Sequence, residues 1–121
     1  MKIEDLKRGY FVRHGNDIKQ VYYFDDDTVY FYDLTKAKAE ECQPVVLNGE
    51  ILTRNGFEVE FGSEGNTIYS LDCVKLIKNN GDAFFRMLIS NRAYTYTGYI
   101  NYLHEVQDAF CACAVTLDWK V

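Results

Sequence analysis

Short runs of strand-forming residues, separated by turn-forming clusters, fill most of the chain before residue 99. In the first third, the runs "GYFVR", "IKQVYYF" and "VYFYD" are separated by "HGND" and "DDDT". Aromatic and β-branched side chains suit the pleated surface of a strand, whereas Asn and Asp side chains satisfy the local amides of a turn. The pattern predicts a meander of short antiparallel strands, with "IKQVYYF" in the middle of a small curled sheet.

A second group of strands is predicted in the other half of the chain. In "FEVEF", the side chains of Phe57, Val59 and Phe61 share one face and the two glutamates share the other. Asn80-Gly81 lies between the apolar runs "CVKLIK" and "AFFRMLI", and this dipeptide is a strong hairpin signal. We therefore expect further antiparallel strands here.

A short helix is predicted between these two groups. Asn48 can cap it, Glu50 lies in its first turn, and Gly56 can take the left-handed conformation after its last turn. These signals place the helix at about residues 49–55.

The spacing of apolar residues changes from two to three and four at Tyr99. This spacing predicts an amphipathic helix from about Tyr99, capped by Thr97. Its apolar stripe consists of Ile100, Leu103, Val106, Phe110 and Cys113. The stripe must cover another apolar surface, so we expect the helix to pack on the sheet. The final "TLDWKV" alternates again, with Leu117, Trp119 and Val121 inward.

Together these elements predict an α+β fold that is mostly antiparallel β, arranged as small curled sheets or a half-barrel, with one short central helix and a C-terminal amphipathic helix. A chain of 121 residues can bury one core without disulfides or metals. We therefore expect a single domain over residues 1–121. The polar stretch "LTKAKAEEC" is predicted to be a loop between subregions 1–35 and 44–121.

The charge distribution disfavours two classes of partner. The net charge is −5 and the basic residues are scattered, whereas a surface that binds phosphates needs concentrated Lys and Arg. The amino-terminal residues are charged where a signal peptide is apolar, and no apolar run approaches the roughly 20 residues that span a bilayer. We predict a cytoplasmic protein with no membrane contact and with its four cysteines reduced.

The segment "TGYINYLHEVQDAFCAC" holds the residue types best suited to catalysis or metal binding. Cys111 and Cys113 are closer in sequence than the cysteines of a common zinc knuckle, and on a helix they point about 200° apart. His104 lies about 10 Å along the helix from Cys111, which is too far for a nucleophile and its base. His104 and Asp108 are four residues apart and can pair on the helix surface. We predict no catalytic residue, no metal ligand and no cofactor site here.

Two other clusters allow alternative interpretations. Asp25, Asp26 and Asp27 lack the alternating oxygens and glycine of a calcium loop, so a hairpin turn is predicted. Tyr94 and Tyr96, with Tyr99 close behind, form either a stacking platform for bases or a peptide, or the filling of a sheet face with hydroxyls at its rim.

Three stretches, in order, resemble those of one group of proteins. "DLKRGYFVRHGNDIKQVYYF" is similar to a "DLRIGNYV" start, "QPVVLNGEILTRNGFE" resembles a "PI-L-T-EE-IL-K-GF" element, and "YINYLHEVQDAFCACAVTL" resembles a "KYVHQLQNLYFALTGEEL" tail. They occur together in a group of short uncharacterised proteins from gut Bacteroidetes genomes and their phages and mobile elements. The resemblance implies a shared fold and carries no activity.

The resemblance also draws attention to one end of the predicted C-terminal helix. His104, Glu105 and Gln107 fall on the "HQLQ" positions, with Glu105 in place of a Gln, and the "TG" stop of that tail is missing here. The match implies a binding or helix-orienting role for His104. His104 and Glu105 therefore join Tyr94 and Tyr96 as candidates for a surface that faces a partner.

These observations lead to three hypotheses about function. The first is a non-catalytic binding or adaptor module of phage or mobile-element origin that acts through a protein partner and needs no cofactor; a homodimer formed through a strand edge is a second mode of association. The alternative is a nucleic-acid-associated protein that uses its tyrosine-rich strands. The third is an enzyme whose site is assembled around His104 from distant residues.

Overall fold

Five antiparallel strands form a sheet in the first part of this computed structural model. In chain order they are β1 (Phe11–His14), β2 (Asp17–Phe24), β3 (Thr28–Phe31), β4 (Lys36–Lys38) and β5 (Cys42–Pro44). Their spatial order is β4-β3-β2-β1-β5, so each of the first three strands pairs with the next one along the chain. The predicted meander is confirmed, and β5 closes it by pairing with β1.

The structure describes the backbone of residues 1–90 and 95–121 and the side chains of residues 1–90 and 97–121. These residues form two compact units, Met1–Val46 and Leu47–Val121. The single domain over residues 1–121 stays a prediction.

The polar stretch Leu34–Cys42, predicted to be a loop, is mostly regular structure and belongs to the first unit. It contains β4, a 3-10 turn at Ala39–Glu41 and the start of β5. The physical reason is a short alternation of small and charged residues. Ala37 and Ala39 are buried while the lysines and glutamates around them are exposed, and β4 then pairs with β3.

The core of the first unit lies on one face of its sheet. It is formed by apolar side chains of the strands, of the segment before β1 and of the 3-10 turn after β4: Leu6, Tyr10, Val12, Val21, Val29, Phe31, Ala37, Ala39 and Cys42. Burial of each large apolar side chain contributes about 1.5–3 kcal/mol to the stability of this unit.

Five more antiparallel strands form the sheet of the second unit. They are β6 (Glu58–Phe61), β7 (Thr67–Leu71), β8 (Val74–Lys78), β9 (Phe85–Ser90) and β10 (Thr95–Ile100). Their spatial order is that of the chain reversed, from β10 to β6. The predicted hairpin at Asn80-Gly81 joins β8 to β9, and Gly81 takes a φ of 91° that suits glycine.

The short central helix, α1 (Gly49–Arg54), forms where its signals predict it. Asn48 caps it, because its Oδ1 accepts a hydrogen bond of 2.9 Å from the amide of Ile51. Gly56 follows the helix with a φ of 91°.

The C-terminal helix, α2 (Leu103–Ala112), begins later than predicted. Residues 99 and 100 continue β10, where Tyr99 pairs with Arg86 and Ile100 with Phe85, so the predicted Thr97 cap is wrong. Strand pairing outweighs the helical spacing there because Ile100 fits both patterns and is buried in the sheet.

The apolar stripe of α2 is buried as predicted at Leu103, Val106 and Phe110, whereas Cys113 is only half-buried and follows the last turn. The final residues form no strand, yet Leu117, Trp119 and Val121 are half-buried and the residues between them are exposed, as the alternation predicts. The predicted α+β class, with antiparallel sheets and two helices, is confirmed; the sheets are not closed into a barrel.

Candidate protein-binding surface

A β-bulge turns two consecutive tyrosines of β2 toward solvent. Val21 pairs with Phe31 and Tyr23 pairs with Tyr30, so Tyr22 is an extra residue without a counterpart on β3. Because an extra residue shifts the alternation by one, Tyr23 leaves the core face that Val21 occupies. Tyr22 and Tyr23 are 48% and 56% exposed.

Tyr22 is held in place by an aromatic ring and a cation. Its ring lies edge-on to that of Tyr32, with centroids 5.0 Å apart and planes at 63°. The guanidinium carbon of Arg8 lies 4.9 Å from the centroid of Tyr22, within the range of a cation–π interaction. Arg8 Nε also donates a hydrogen bond of 3.2 Å to Tyr32 Oη, and this bond raises the pKa of Arg8. The three side chains therefore form one ordered cluster.

Tyr23 forms a second pair with Tyr30, its register partner. The two ring centroids are 5.7 Å apart. Tyr30 Oη donates to Asp25 Oδ2 at 3.4 Å, and the negative charge of Asp25 is the main cause that raises the pKa of Tyr30. Tyr30 is therefore a neutral hydroxyl at neutral pH, able to accept a further hydrogen bond.

The turn after β3 presents an exposed leucine beside these rings. Leu34 is 96% exposed and has a φ of 72°, a conformation that a leucine rarely adopts. Hydrogen bonds from the hydroxyl and the amide of Thr35 lower the pKa of Asp33 to about 2, with help from Lys19. Lys19 Nζ lies 3.0 Å from Asp33 Oδ2 and 2.7 Å from Thr35 Oγ1. The turn is thus held by an ion pair and by hydrogen bonds within it.

These features enclose a shallow groove of about 300 Å³ on the first unit. The tyrosine groove, as we call it, is lined by Tyr22, Tyr23, Tyr30, Phe31, Leu34 and Thr35. Its lining is apolar with a few hydroxyls, which is typical of a surface that recognises a ligand by shape and offers few groups for acid–base chemistry.

The side chains of the predicted partner-facing tyrosines lie outside the described residues. Tyr94 lies outside the described residues. The backbone of Tyr96 belongs to β10, where it pairs with Ile89, and its side chain is also outside the described part of the chain. Their predicted role stays a prediction.

His104 and Glu105 lie together in the first turn of α2. The ring of His104 stacks on that of Tyr102, with centroids 5.8 Å apart and planes at 10°. Glu105 Oε1 accepts hydrogen bonds of 3.1 Å from the amides of Asn101 and Tyr102. Glu105 therefore satisfies amides at the start of the helix, which is the capping role of a carboxylate at this position. Whether either residue also faces a partner stays a prediction.

In the described part of the chain, the cysteines and acidic residues do not assemble into an activated thiol site or a metal site. None of the four cysteines forms a disulfide, and burial raises the pKa of the Cys42 thiol, which is the opposite of what activates a nucleophile. Among residues 1–90 and 95–121, no three His, Cys, Asp or Glu side chains lie close enough to hold a metal ion. No helix in these ranges is both long enough and apolar enough to cross a membrane.

Comparison of this chain with protein-family models, with curated proteins and with solved structures gives no match.

The tyrosine groove was missed because its aromatic residues were interpreted only as strand residues of a small curled sheet, and Leu34 and Thr35 as the start of a loop. A signal was present in "QVYYF", where alternation fails at the two tyrosines. A break of this kind in a strand is what a bulge produces, and bulges often redirect side chains at functional surfaces.

Proposed function

We propose that this protein is a non-catalytic protein-binding module whose first unit binds an extended, proline-rich segment of a partner in the tyrosine groove. The observation that carries the proposal is that two ordered tyrosine pairs, Tyr22 with Tyr32 and Tyr23 with Tyr30, contribute three of these rings to one shallow groove. Large exposed apolar surfaces on small domains commonly serve as interaction sites.

A polyproline II segment suits such a groove for two reasons. It is extended before binding, so it loses little conformational entropy when it docks between aromatic rings. Its backbone carbonyls form no internal hydrogen bonds, and they can accept hydrogen bonds from tyrosine hydroxyls at the rim.

The charge near the groove predicts a basic residue in the ligand. Asp25, Asp26 and Asp27 form the exposed turn that joins β2 to β3, and Asp25 contacts Tyr30 directly. Complementary charge fixes the register of a peptide and raises its association rate. An arginine or lysine at one end of the proline run would lie toward this turn.

The first experiment is a calorimetric titration with a blocked oligoproline peptide that ends in arginine. We expect saturable binding that weakens at least about tenfold when Tyr22 and Tyr23 are both replaced by alanine, equivalent to about 1.4 kcal/mol. The matched control is Tyr99→Ala, because Tyr99 is an exposed tyrosine of the other unit. Equal loss in this control, or no binding to the unaltered protein, would overturn the proposal.

A second candidate function, single-stranded nucleic-acid binding, is favoured by the cluster of Arg8, Tyr22 and Tyr32. Aromatic rings beside an arginine are the elements on which bases stack. The net charge of −5 opposes it, since phosphate binding is driven by basic residues. Titration with oligo(dT) and oligo(U) distinguishes the two proposals. Nucleic-acid binding that disappears at raised salt and in Arg8→Ala, without binding of the proline peptide, would replace the first proposal by this one.

The cellular setting belongs to the proposal as well. We also propose a cytoplasmic location, and an origin in a phage or mobile element is supported by the resemblance to the Bacteroidetes group. Affinity capture from a lysate, with the unaltered protein and with the Tyr22→Ala, Tyr23→Ala variant, tests whether the tyrosine groove binds a protein of that cell. A protein that is enriched by the former and lost with the latter is the expected partner.

A further inference from the structure

β6 lies at the edge of the second sheet, and one of its two sides is unpaired. Its register with β7 is unbroken from Glu58 opposite Ser70 to Phe61 opposite Thr67. The sheet order ends at β6, and among residues 1–90 and 95–121 no strand pairs with its other side. The side of Glu58–Phe61 that faces away from β7 is called the open edge below.

The open edge carries backbone groups ready to pair. The amide of Gly62 donates to the carbonyl of Asn66 at 2.9 Å, so the backbone groups of Gly62 point toward β7. In an antiparallel strand this direction alternates from one residue to the next. The N–H and C=O groups of Val59 and Phe61 therefore point away from β7, along the open edge.

The side chains of the same two residues are apolar and exposed. Phe57, just before the strand, is buried, whereas Val59 is 38% and Phe61 83% exposed. Val59 lies opposite Tyr69, which contacts the buried Phe85, so Val59 and Phe61 continue the core face of the sheet beyond the part that is covered.

The protection of this sheet edge is limited to its short length and its two glutamates. Natural edge strands are also commonly blocked by a proline, a bulge, an inward-pointing charge or a covering loop. β6 contains no proline, its pairing with β7 shows no bulge, and its two charges, Glu58 and Glu60, lie on the face opposite to Val59. An edge with free backbone groups and apolar side chains is the template for addition of a strand.

The two glutamates argue against a second copy of the chain as the added strand. An antiparallel copy centred on Val59 would place Glu58 opposite Glu60 of the other copy, and like charges directly opposite are destabilising. A shift by one residue would place Glu60 beside Val59 on one face, which mixes a charge with the apolar surface. Basic residues at alternate positions would instead face both glutamates while apolar residues extend the core face.

We propose that the open edge of β6 binds an extended segment of a partner protein in which lysine or arginine alternates with apolar residues, as an added strand of the second sheet. Backbone hydrogen bonds to Val59 and Phe61 supply part of the affinity. Pairing with Glu58 and Glu60 supplies the register. This surface belongs to a different unit from the tyrosine groove and does not depend on it.

The test uses the full chain and a blocked peptide in which lysine and valine alternate. We expect saturable binding, with new backbone amide shifts at Val59 and Phe61 in NMR spectra. The double variant Glu58→Lys, Glu60→Lys should weaken this binding at least about tenfold. It should then bind a peptide in which glutamate and valine alternate, which the unaltered protein rejects.

Two controls separate strand addition from simple charge attraction. Glu64→Lys changes one exposed charge in the turn after β6, and it should leave binding unchanged. Val59→Pro removes a backbone amide that points to the open edge and keeps the hydrogen bonds between β6 and β7. It should therefore abolish binding while the circular dichroism spectrum is retained.

Three results would overturn the proposal. One is equal binding of a peptide with its lysines in one block and its valines in another. Another is equal loss of binding in Glu64→Lys and in the double variant. The third is a dimer of the unaltered protein that Val59→Pro dissociates, since it would assign the open edge to a second copy. Because none of these measurements involves the proline peptide, failure here and failure of the tyrosine groove are distinguishable.

Discussion

The side-chain amide of Asn55 occupies the hydrogen-bonding position that a neighbouring strand would take beside Lys120. Asn55 Nδ2 donates to the carbonyl of Lys120 at 2.7 Å, and its Oδ1 accepts from the amide of Lys120 at 2.6 Å. The same Nδ2 donates to the carbonyl of Ile51 at 2.8 Å, at the end of α1. One buried asparagine thus anchors the C-terminal tail and places Trp119 against Phe110, with ring centroids 5.5 Å apart.

Replacement of Asn55 by alanine should release the tail. Loss of three hydrogen bonds around a buried group is expected to lower the free energy of unfolding by about 2 kcal/mol or more. Because Trp119 is the single tryptophan of the chain, its fluorescence emission should shift to longer wavelength before global unfolding. Asn48→Ala is the control: loss of the helix cap costs about 1 kcal/mol and should leave the emission of the folded state unchanged. Identical emission in both variants would show that Asn55 does not hold the tail.

Replacement of Leu34 by glycine should stabilise the first unit and weaken peptide binding. Glycine adopts the observed φ of 72° without the steric cost that leucine carries, so a gain of about 1 kcal/mol in urea denaturation is expected. The variant also loses an apolar wall of the tyrosine groove, so the oligoproline peptide should bind more weakly. Asp72→Gly is the matched control, because Asp72 also has a positive φ, of 55°, but lies in the other unit. Unchanged peptide affinity in Leu34→Gly would remove this residue from the binding surface.

The turn that carries Leu34 should loosen in acid. The pKa of Asp33 is lowered to about 2 from its ordinary value of 3.8, so the folded state favours the charged carboxylate. A lowered folded-state pKa stabilises the fold above the ordinary pKa, and this contribution disappears as the pH falls from 3.8 toward 2. The difference in unfolding free energy between the unaltered protein and Asp33→Asn should therefore shrink over this range.

The carboxyl carbon of Asp33, followed by NMR, gives an independent check of the same prediction. Its titration midpoint should rise in Thr35→Val, because the hydroxyl that donates to the carboxylate is the largest cause of the lowered pKa. A midpoint that stays unchanged in this variant would contradict the hydrogen bond.

The start of α1 leaves no room for a side chain at Gly49. A Cβ at this position would overlap Tyr69 Oη and lie 3.0 Å from Tyr69 Cζ. Gly49→Ala should therefore lower the free energy of unfolding by about 1–3 kcal/mol, the usual cost of overpacking. Tyr69→Phe removes the nearest atom, so the double variant should recover part of the loss. Additive effects of the two substitutions in thermal denaturation would contradict the contact.

Local chemistry was sufficient to predict the elements whose signals lie within a few residues. Asn48 and Gly56 delimit α1 because a cap and a left-handed residue act on the backbone next to them. Asn80-Gly81 determines the β8–β9 turn in the same way. The stripe of Leu103, Val106 and Phe110 identified α2, because periodicity reports which residues share a face.

Predictions that depended on distant pairing were wrong or incomplete. α2 begins at Leu103 and not near Tyr99, because residues 99 and 100 pair with Arg86 and Phe85 of β9, which lie more than ten positions earlier in the chain. The alternation of lysine and alanine around Ala37 was too short to reveal β4, and only its pairing with β3 stabilises it as a strand. Two of the four predicted site residues have described side chains: Glu105 caps α2, and His104 stacks on Tyr102.

The sequence by itself determined which side chains share a face: Val59 with Phe61 on one strand, and the buried residues of α2 on one stripe. It did not determine whether a face is covered, because coverage depends on where a strand lies in its sheet. Only the tertiary structure placed β6 at an edge and turned Tyr22 and Tyr23 outward through a bulge opposite Phe31. The physical reason is that side-chain alternation is a local property of the backbone, whereas strand order and register are decided by contacts between residues far apart in the chain.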